Sequence, residues 1–422
     1  MRFSTLDQWL RWQETLHPSE IELGLERVSR VYSALCPEAL PFTVVTVAGT
    51  NGKGSSIAAL EAVLLAAGYH VGTYTSPHLL RYNERVRLDG VEIDDQSLIN
   101  AFEQVDQARG ETSLTYFEFG TLAALRIFAD RQPQIVLLEV GLGGRLDAVN
   151  IIDPDVALIT AIGLDHTAWL GTDRETIATE KAGIMRAGRP VVCSDPKPPA
   201  AIAGRARALG ATLFQLGRDY AFRHHPEGWD WWRLVEPRQE YRDLPRPGPG
   251  GEYQYRNLAG VLMVLSLLQE QFPLTREQLF TGLKGWHLPG RLQQLPGEVP
   301  ILLDVAHNPD GVAELARALA GEPVTGRSWA IVGMMADKDI HAALAPLLPL
   351  VAGWIAVDLK VPRAASSQRI AAILRELGAT TVSEAGAVGE ALALAREWAS
   401  KGDRIVVFGS FYTVAEVLSQ PL

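Results

Sequence analysis

Short apolar runs rich in β-branched residues recur along this chain, and Ala/Leu-rich stretches with helical spacing separate them. The runs are "FTVVTVA" (42–48), "HVGTYTS" (70–76), "QIVLLEVG" (134–141), "VALITAIG" (156–163) and "PVVCS" (190–194). This alternation predicts a parallel sheet with helices on both faces. At the start, "MRFSTLDQWLRWQETL" puts Phe3, Leu6, Trp9 and Leu10 on one face of an amphipathic helix. Between about residues 195 and 255 the pattern breaks into "DPKPP", "HHPEGWDWW" and "LPRPGPGGEYQ", which predicts irregular or antiparallel surface structure, and a helix is expected over 258–271. After "LPGRLQQLPGEVP" the alternation restarts with "ILLDVA", a helix from Val312, "SWAIVGMM", a helix near Leu344, "WIAVDL", helices near Ile370 and from Ala387, and "RIVVFGS". The expected organisation is a larger N-terminal α/β domain over 1–295 and a smaller Rossmann-like α/β domain over 296–422.

Composition narrows the partners. A chain of 422 residues exceeds one ordinary core, in keeping with two domains. A formal net charge of −10 argues against a general nucleic-acid binder but leaves room for local basic groups that hold a small anion. The longest strongly apolar stretch, 258–268, is far short of the roughly 20 residues of a membrane span, and the N-terminus lacks a signal-peptide layout. Two cysteines, Cys36 and Cys193, make no disulfide framework and suit a reducing cytoplasm. The expectation is a cytoplasmic protein without membrane or nucleic-acid partners.

The most specific signal is "TVVTVAGTNGKGSSIAALEAVLLAAG" (43–68), a strand, a Gly-rich turn and a helix in succession. A strand-to-helix turn of this kind aims several backbone N–H groups and the positive helix end at one point, which is a phosphate site. Lys53 is expected to pair with the β and γ phosphates, and the Ser55 hydroxyl to meet Mg²⁺ or a phosphate oxygen. The loop is shorter than the common P-loop: Val47 occupies the first glycine position, and the turn opens at Gly49.

Other positions are open on the residues alone. Glu139 closes an apolar strand where a carboxylate can hold Mg²⁺, or can pair with an arginine. The glycines after it fail the dinucleotide pattern, because the third falls on Leu146. Ser76 is a strand-end hydroxyl or simple turn chemistry. His166 reads as a loop histidine or a ligand, and Lys181 as a helix lysine beside a carboxylate. Asp304 and His307 end a strand, where open α/β folds bind ligands; the alternative is helix capping and a loop hydrogen bond.

The form "AGTNGKGS" resembles the Mur ligase superfamily, and more closely the folylpolyglutamate synthase and dihydrofolate synthase family. The likeness continues through "LGLERV" (23–28), "YTSPHLLRYNERV" (74–86), "LTYFEFGTLAAL" (114–125), "EVGLGGRLDAVN" (139–150), "LDHTAWLG" (164–171), "EKAGI" (180–184), "PGR" (289–291), "DVAHNPDG" (304–311), "DKD" (337–339) and "GSFYTVAE" (409–416). The resemblance implies a P-loop ATP site formed by Gly49, Thr50, Asn51, Gly52, Lys53, Gly54 and Ser55, with Asn257 near the adenine and Arg291, Asp304 and His307 reaching the nucleotide from the C-terminal domain. It implies two Mg²⁺ ions held by Ser76, Glu139, His166 and a carbamylated Lys181, with Lys53, Lys181 and His166 as catalytic groups. For a pteroate it implies Leu23, Gly24 and Leu25 as a flap, and Phe117, Arg145 and Asp147 as walls. The implied activity is bifunctional: ATP-dependent addition of L-glutamate to dihydropteroate and to reduced folates, by a monomer. Three alternatives stand beside it: polyglutamylation only; a Mur-type cell-wall ligase, for which about 40 residues before the loop leave no room for the usual extra domain; and, from another class, a P-loop ATPase or switch.

Overall fold

The structure is a computed structural model that describes residues 2–38, 40–248 and 251–420. The chain forms two compact units. The first comprises Met1–Ile162, Asp173–Arg246 and Arg256–His287; the second comprises Gly163–Thr172, Pro247–Tyr255 and Leu288–Leu422.

The first unit holds an eight-stranded sheet of β1 (Thr43–Ala48), β2 (Val71–Tyr74), β3 (Val86–Leu88), β4 (Val91–Glu92), β5 (Ile135–Glu139), β6 (Val156–Ile159), β7 (Pro190–Cys193) and β8 (Thr212–Gln215). Their order is β4-β3-β2-β5-β1-β6-β7-β8. The five expected strands are present, all mutually parallel; β1 lies between β5 and β6, and every one of its residues is buried. An unbroken β-branched run is what a strand covered on both faces requires. Two short antiparallel strands, β3 and β4, extend the β2 edge through a tight turn whose central residues, Asp89 and Gly90, have φ of 52° and 79°. Asp-Gly tolerates those left-handed angles in a two-residue hairpin.

The helix after the phosphate loop, Lys53–Ala66, is buried on several sides. On one side it meets the helix Arg276–Gly285, where Gly282 presses on the Val63 backbone so closely that a Cβ would collide with it. At the N-terminus, Thr5 caps the helix Leu6–Leu16 through a capping box with Gln8, and Trp9 is fully buried from the predicted apolar face.

The segment after residue 195 does contain an antiparallel sheet: β9 (Tyr220–His225), β10 (Gly228–Arg233) and β11 (Gln239–Leu244), in the order β11-β10-β9. The helix expected over 258–271 runs instead from Glu252 to Leu267. Its early turns carry polar residues, with Gln254 and Asn257 buried, so apolar spacing marks only its later part.

The second unit holds β12 (Gln293–Leu295), β13 (Ile301–Asp304), β14 (Ser328–Val332), β15 (Gly353–Val357), β16 (Val382–Ala385) and β17 (Arg404–Phe408). The order is β12-β13-β17-β14-β15-β16, parallel apart from the antiparallel edge strand β12. Leu302, Val332, Trp354, Val406 and Phe408 lie in its core. The expected boundary at 295/296 is corrected to 288. The reason is pairing: β12 zips onto β13, and the Val305 N–H donates to the Gly290 carbonyl at 2.8 Å, so the "PGR" turn belongs to the second sheet. The two detached segments, 163–172 and 247–255, also depart from the expected contiguous division.

Candidate active site

In the first unit the phosphate loop runs from the end of β1 into the helix Lys53–Ala66. The neighbouring β6 end anchors it: Thr50 N–H donates to the Ala161 carbonyl at 2.8 Å, and Thr160 Oγ1 donates to the Asn51 carbonyl at 2.8 Å. A Cβ on Gly49 would strike Thr160 Oγ1, so this close approach excludes a side chain. Gly52 has φ of 96° and N-caps the helix without a side-chain cap, which leaves the helix end suited to an anion. A Cβ on Gly52 would strike Asn257 Oδ1, which places Asn257 against the loop.

Two lysines converge here. Lys53 Nζ donates to the Gly49 and Thr50 carbonyls at 3.1 and 3.3 Å, and Lys181 Nζ donates to the same Gly49 carbonyl at 3.0 Å. Lys181, read from its neighbours as a helix lysine beside a carboxylate, is only 3% exposed. Its neighbour Glu180 turns instead to Arg145, whose Nη2 lies 2.9 Å away. The glycines of two blocks permit this packing: Gly144 sits against the Glu180–Lys181 backbone and Gly183 against Arg145, each with no space for a Cβ.

Glu139, at the end of β5, is 5% exposed and accepts a hydrogen bond from the Ser76 N–H at 3.2 Å. Ser55, at the start of the loop helix, is 3% exposed. A buried carboxylate with serine hydroxyls is a hard-oxygen donor set, which fits Mg²⁺. His166 belongs to the second unit, unlike Ser76, Glu139 and Lys181. It holds a left-handed backbone, φ 49° and ψ 39°, at the start of the short helix Thr167–Leu170.

Next to Glu139, the Phe117 ring lies over Gly141 so closely that a Cβ there would meet it at 2.6 Å, and Tyr74 stands 6.0 Å from the ring centroid. Asp147 is fully buried and accepts from the Leu142 and Val149 N–H groups at 2.8 and 3.0 Å. Burial outweighs those bonds and pushes its carboxyl up to about 6. Leu23, Gly24 and Leu25 are partly exposed and precede the helix Glu26–Leu35, so none of the three is a core residue.

In the second unit Asp304, 4% exposed, accepts from the Leu292 and Ala306 N–H groups at 2.9 and 2.7 Å and so joins the "PGR" turn to "DVAHN". Burial raises its carboxyl, against the nearby Arg291 charge. Arg291 stands 5.8 Å from the Phe411 ring centroid. The capping role open to Asp304 and His307 falls to Asn308, whose side chain accepts from the Gly311 N–H.

Sequence reasoning missed the hub of this unit. Asp165 accepts from Lys338 Nζ at 2.6 Å and Asn308 Nδ2 at 3.0 Å, and it lies 3.3 Å from His307 Nε2. Burial opposes its charge, but the His307 bond and the charges of His307, His166 and Lys338 hold it well below the usual carboxylate range. Both acidic and basic members lie in quoted blocks, "LDHTAWLG" and "DKD"; the signal absent from the sequence was their proximity.

Comparison with known proteins identifies this arrangement. The Mur ligase middle domain matches residues 47–197, and the Mur ligase, glutamate ligase domain matches residues 290–411. The dihydrofolate synthase/folylpolyglutamate synthase of Escherichia coli (strain K12) is 41% identical over 418 residues, which cover 98% of this chain and 95% of that protein. The chain belongs to the dihydrofolate synthase/folylpolyglutamate synthase family. Solved structures agree with this membership. E. coli FolC in complex with DHPP and ADP is 41% identical, with a TM-score of 0.92 over 98% of this chain and 97% of its own. A bifunctional folylpolyglutamate synthase/dihydrofolate synthase with Mn, AMPPNP and L-glutamate bound is 44% identical, with a TM-score of 0.91 over 99% and 98%. This member of the family is thus a ligase with both Mur ligase domains, and no helix among its described residues is long and apolar enough to cross a membrane.

Proposed function

We propose that this ligase joins L-glutamate to 7,8-dihydropteroate, forming dihydrofolate, and to the γ-carboxylate of reduced folates, with ATP as co-substrate. The observation that carries the reading is the convergence of Lys53 and Lys181 on one carbonyl of the phosphate loop, in a chain that matches bifunctional relatives along its whole length. A carboxylate resists an amine because its charge is delocalised and its oxygen leaves poorly. Transfer of the γ phosphoryl group from ATP to the carboxylate oxygen, with ADP departing, replaces that oxygen by a phosphate leaving group. The glutamate amine then attacks the acyl carbon, loses a proton, and the tetrahedral intermediate expels phosphate as the amide forms.

Lys53 and the loop N–H groups orient the triphosphate and offset its charge, which is where most of the acceleration in phosphoryl transfer arises. Ser55, Ser76 and Glu139 would hold Mg²⁺, and a carbamylated Lys181 and His166 would each serve as further Mg²⁺ ligands. Bound Mg²⁺ supplies charge neutralisation at the phosphates. Arg291, Asp304, His307 and Asn257 serve the nucleotide. Phe117, Asp147, Arg145 and the Leu23–Leu25 segment take the pterin end of the substrate. The enzyme works as a cytoplasmic monomer on small molecules, without nucleic acid or membrane.

The test crosses dihydropteroate and reduced folates against L-glutamate and follows ADP release. Turnover is expected only when both carboxylate and amine are present. Turnover that instead depends on a protein or nucleic-acid partner would make this a P-loop switch; turnover with folates alone would restrict it to polyglutamylation.

A further inference from the structure

Arg85 is a buried guanidinium without an acidic partner. It ends the short helical turn Tyr82–Arg85 just before β3, and it is 9% exposed. Among the described residues no carboxylate lies within ion-pair distance of it, whereas Arg87, two residues on, meets Glu61 at 2.6 Å. Its Nε donates to His78 Nδ1 at 2.8 Å. His78 Nδ1 is thus an acceptor for the guanidinium and carries no negative charge to pair with it. The Tyr82 and Tyr116 ring centroids stand 5.2 and 5.6 Å from the guanidinium carbon, and the Tyr74 hydroxyl is a further polar neighbour. Aromatic faces and one imidazole acceptor soften the burial of a cation but do not neutralise it. A planar fork held this way is suited to a carboxylate that arrives with a ligand.

The sheet tells which carboxylate. The Thr75 N–H donates to the Arg85 carbonyl at 2.9 Å, so the residue sits on the segment that leads to Ser76 and borders the Tyr74–Phe117 wall. In the sheet, however, β3 stands three places from β1, which bears the phosphate loop. At the usual strand spacing that is about 14 Å. The carboxylate that receives the phosphoryl group must lie at the loop, and a strand three places away suits a different carboxylate of the same substrate. Dihydropteroate has a single carboxylate. A glutamylated folate has a second one, on its α carbon.

Resting on the ligase reading above, we propose that Arg85 binds the α-carboxylate of an already glutamylated folate and thereby separates the second reaction from the first. The experiment uses the full-length enzyme, ATP, Mg²⁺ and saturating L-glutamate, with three acceptors: dihydropteroate, a reduced monoglutamyl folate, and the same folate with its α-carboxylate converted to the carboxamide. The wild-type enzyme should show a KM for the carboxamide about tenfold or more above that for the acid, the worth of one charge-assisted hydrogen bond. Arg85→Gln should raise KM for the folate about tenfold more than for dihydropteroate, with the loss in KM rather than kcat, and should erase the preference for acid over carboxamide. Arg85→Lys should restore part of it. Equal losses on dihydropteroate and folate, or a preference that survives in Arg85→Gln, would overturn the assignment. If that variant does not fold, the wild-type comparison decides: equal KM for acid and carboxamide removes the role. ADP formation with no acceptor at all would refute the ligase reading itself, and turnover of dihydropteroate without folates would remove both the polyglutamylating half and this proposal.

Discussion

Removing Asp165 should damage the second unit more than any exposed ion pair would. In Asp165→Ala, Lys338, whose side chain is 8% exposed, loses the acceptor 2.6 Å from Nζ, and Asn308, 2% exposed, loses another at 3.0 Å. Breaking a buried pair by deleting one partner typically costs about 3–5 kcal/mol, because the survivor stays desolvated. Asp337, whose Oδ2 is 3.7 Å from Lys338 Nζ, offers a partial substitute, so a loss of about 3 kcal/mol is expected. Lys338→Met leaves Asp165 with His307 and Asn308 and should cost a comparable amount or less. The double variant removes both charges, so its loss should fall about 2–3 kcal/mol short of the sum of the singles. Native-state hydrogen exchange of β13 and β17 under rising urea measures the opening free energy of this unit for each variant. Losses that add to within about 0.5 kcal/mol would show that the two groups do not depend on each other, and would refute the hub.

Two further outcomes follow from the first unit. The Asp147 carboxyl is raised to about 6 by burial. Its folded form therefore keeps a proton between about pH 4 and 6 that the unfolded chain has released, and its contribution to stability falls as pH rises through that window. The stability difference between wild type and Asp147→Asn should move against wild type by on the order of 3 kcal/mol from pH 4 to 7 in urea titrations; a pH-independent difference would contradict the burial argument. Lys181→Ala should lose nearly all ligation, and small added carboxylates should restore part of it if the working group is a carbamate; rescue by small amines instead would make the ammonium, which donates to Gly49, the working form.

The phosphate loop was legible from about 25 consecutive residues, because everything that makes it is local. A β-branched run sets the strand, Gly49 and Gly52 permit the turn, and the helix that begins at Lys53 brings its own dipole. The two α/β patterns, the antiparallel interruption and the N-terminal amphipathic helix were legible for the same reason: periodicity is a property of neighbours. Partner choice is not. Lys181 beside Glu180 reads as a helix ion pair until close glycine packing turns Glu180 to Arg145 and sends Lys181 to Gly49, 132 residues away. Asp165 and Lys338, 173 residues apart, meet only because the segment 163–172 joins the second unit, and the boundary moves to 288 only because β12 pairs with β13. A buried charge must find a counter-charge or a hydrogen bond wherever the fold places one, since desolvation penalises every other arrangement. Local pattern thus settles which elements form, while long-range packing and desolvation decide which side chains meet.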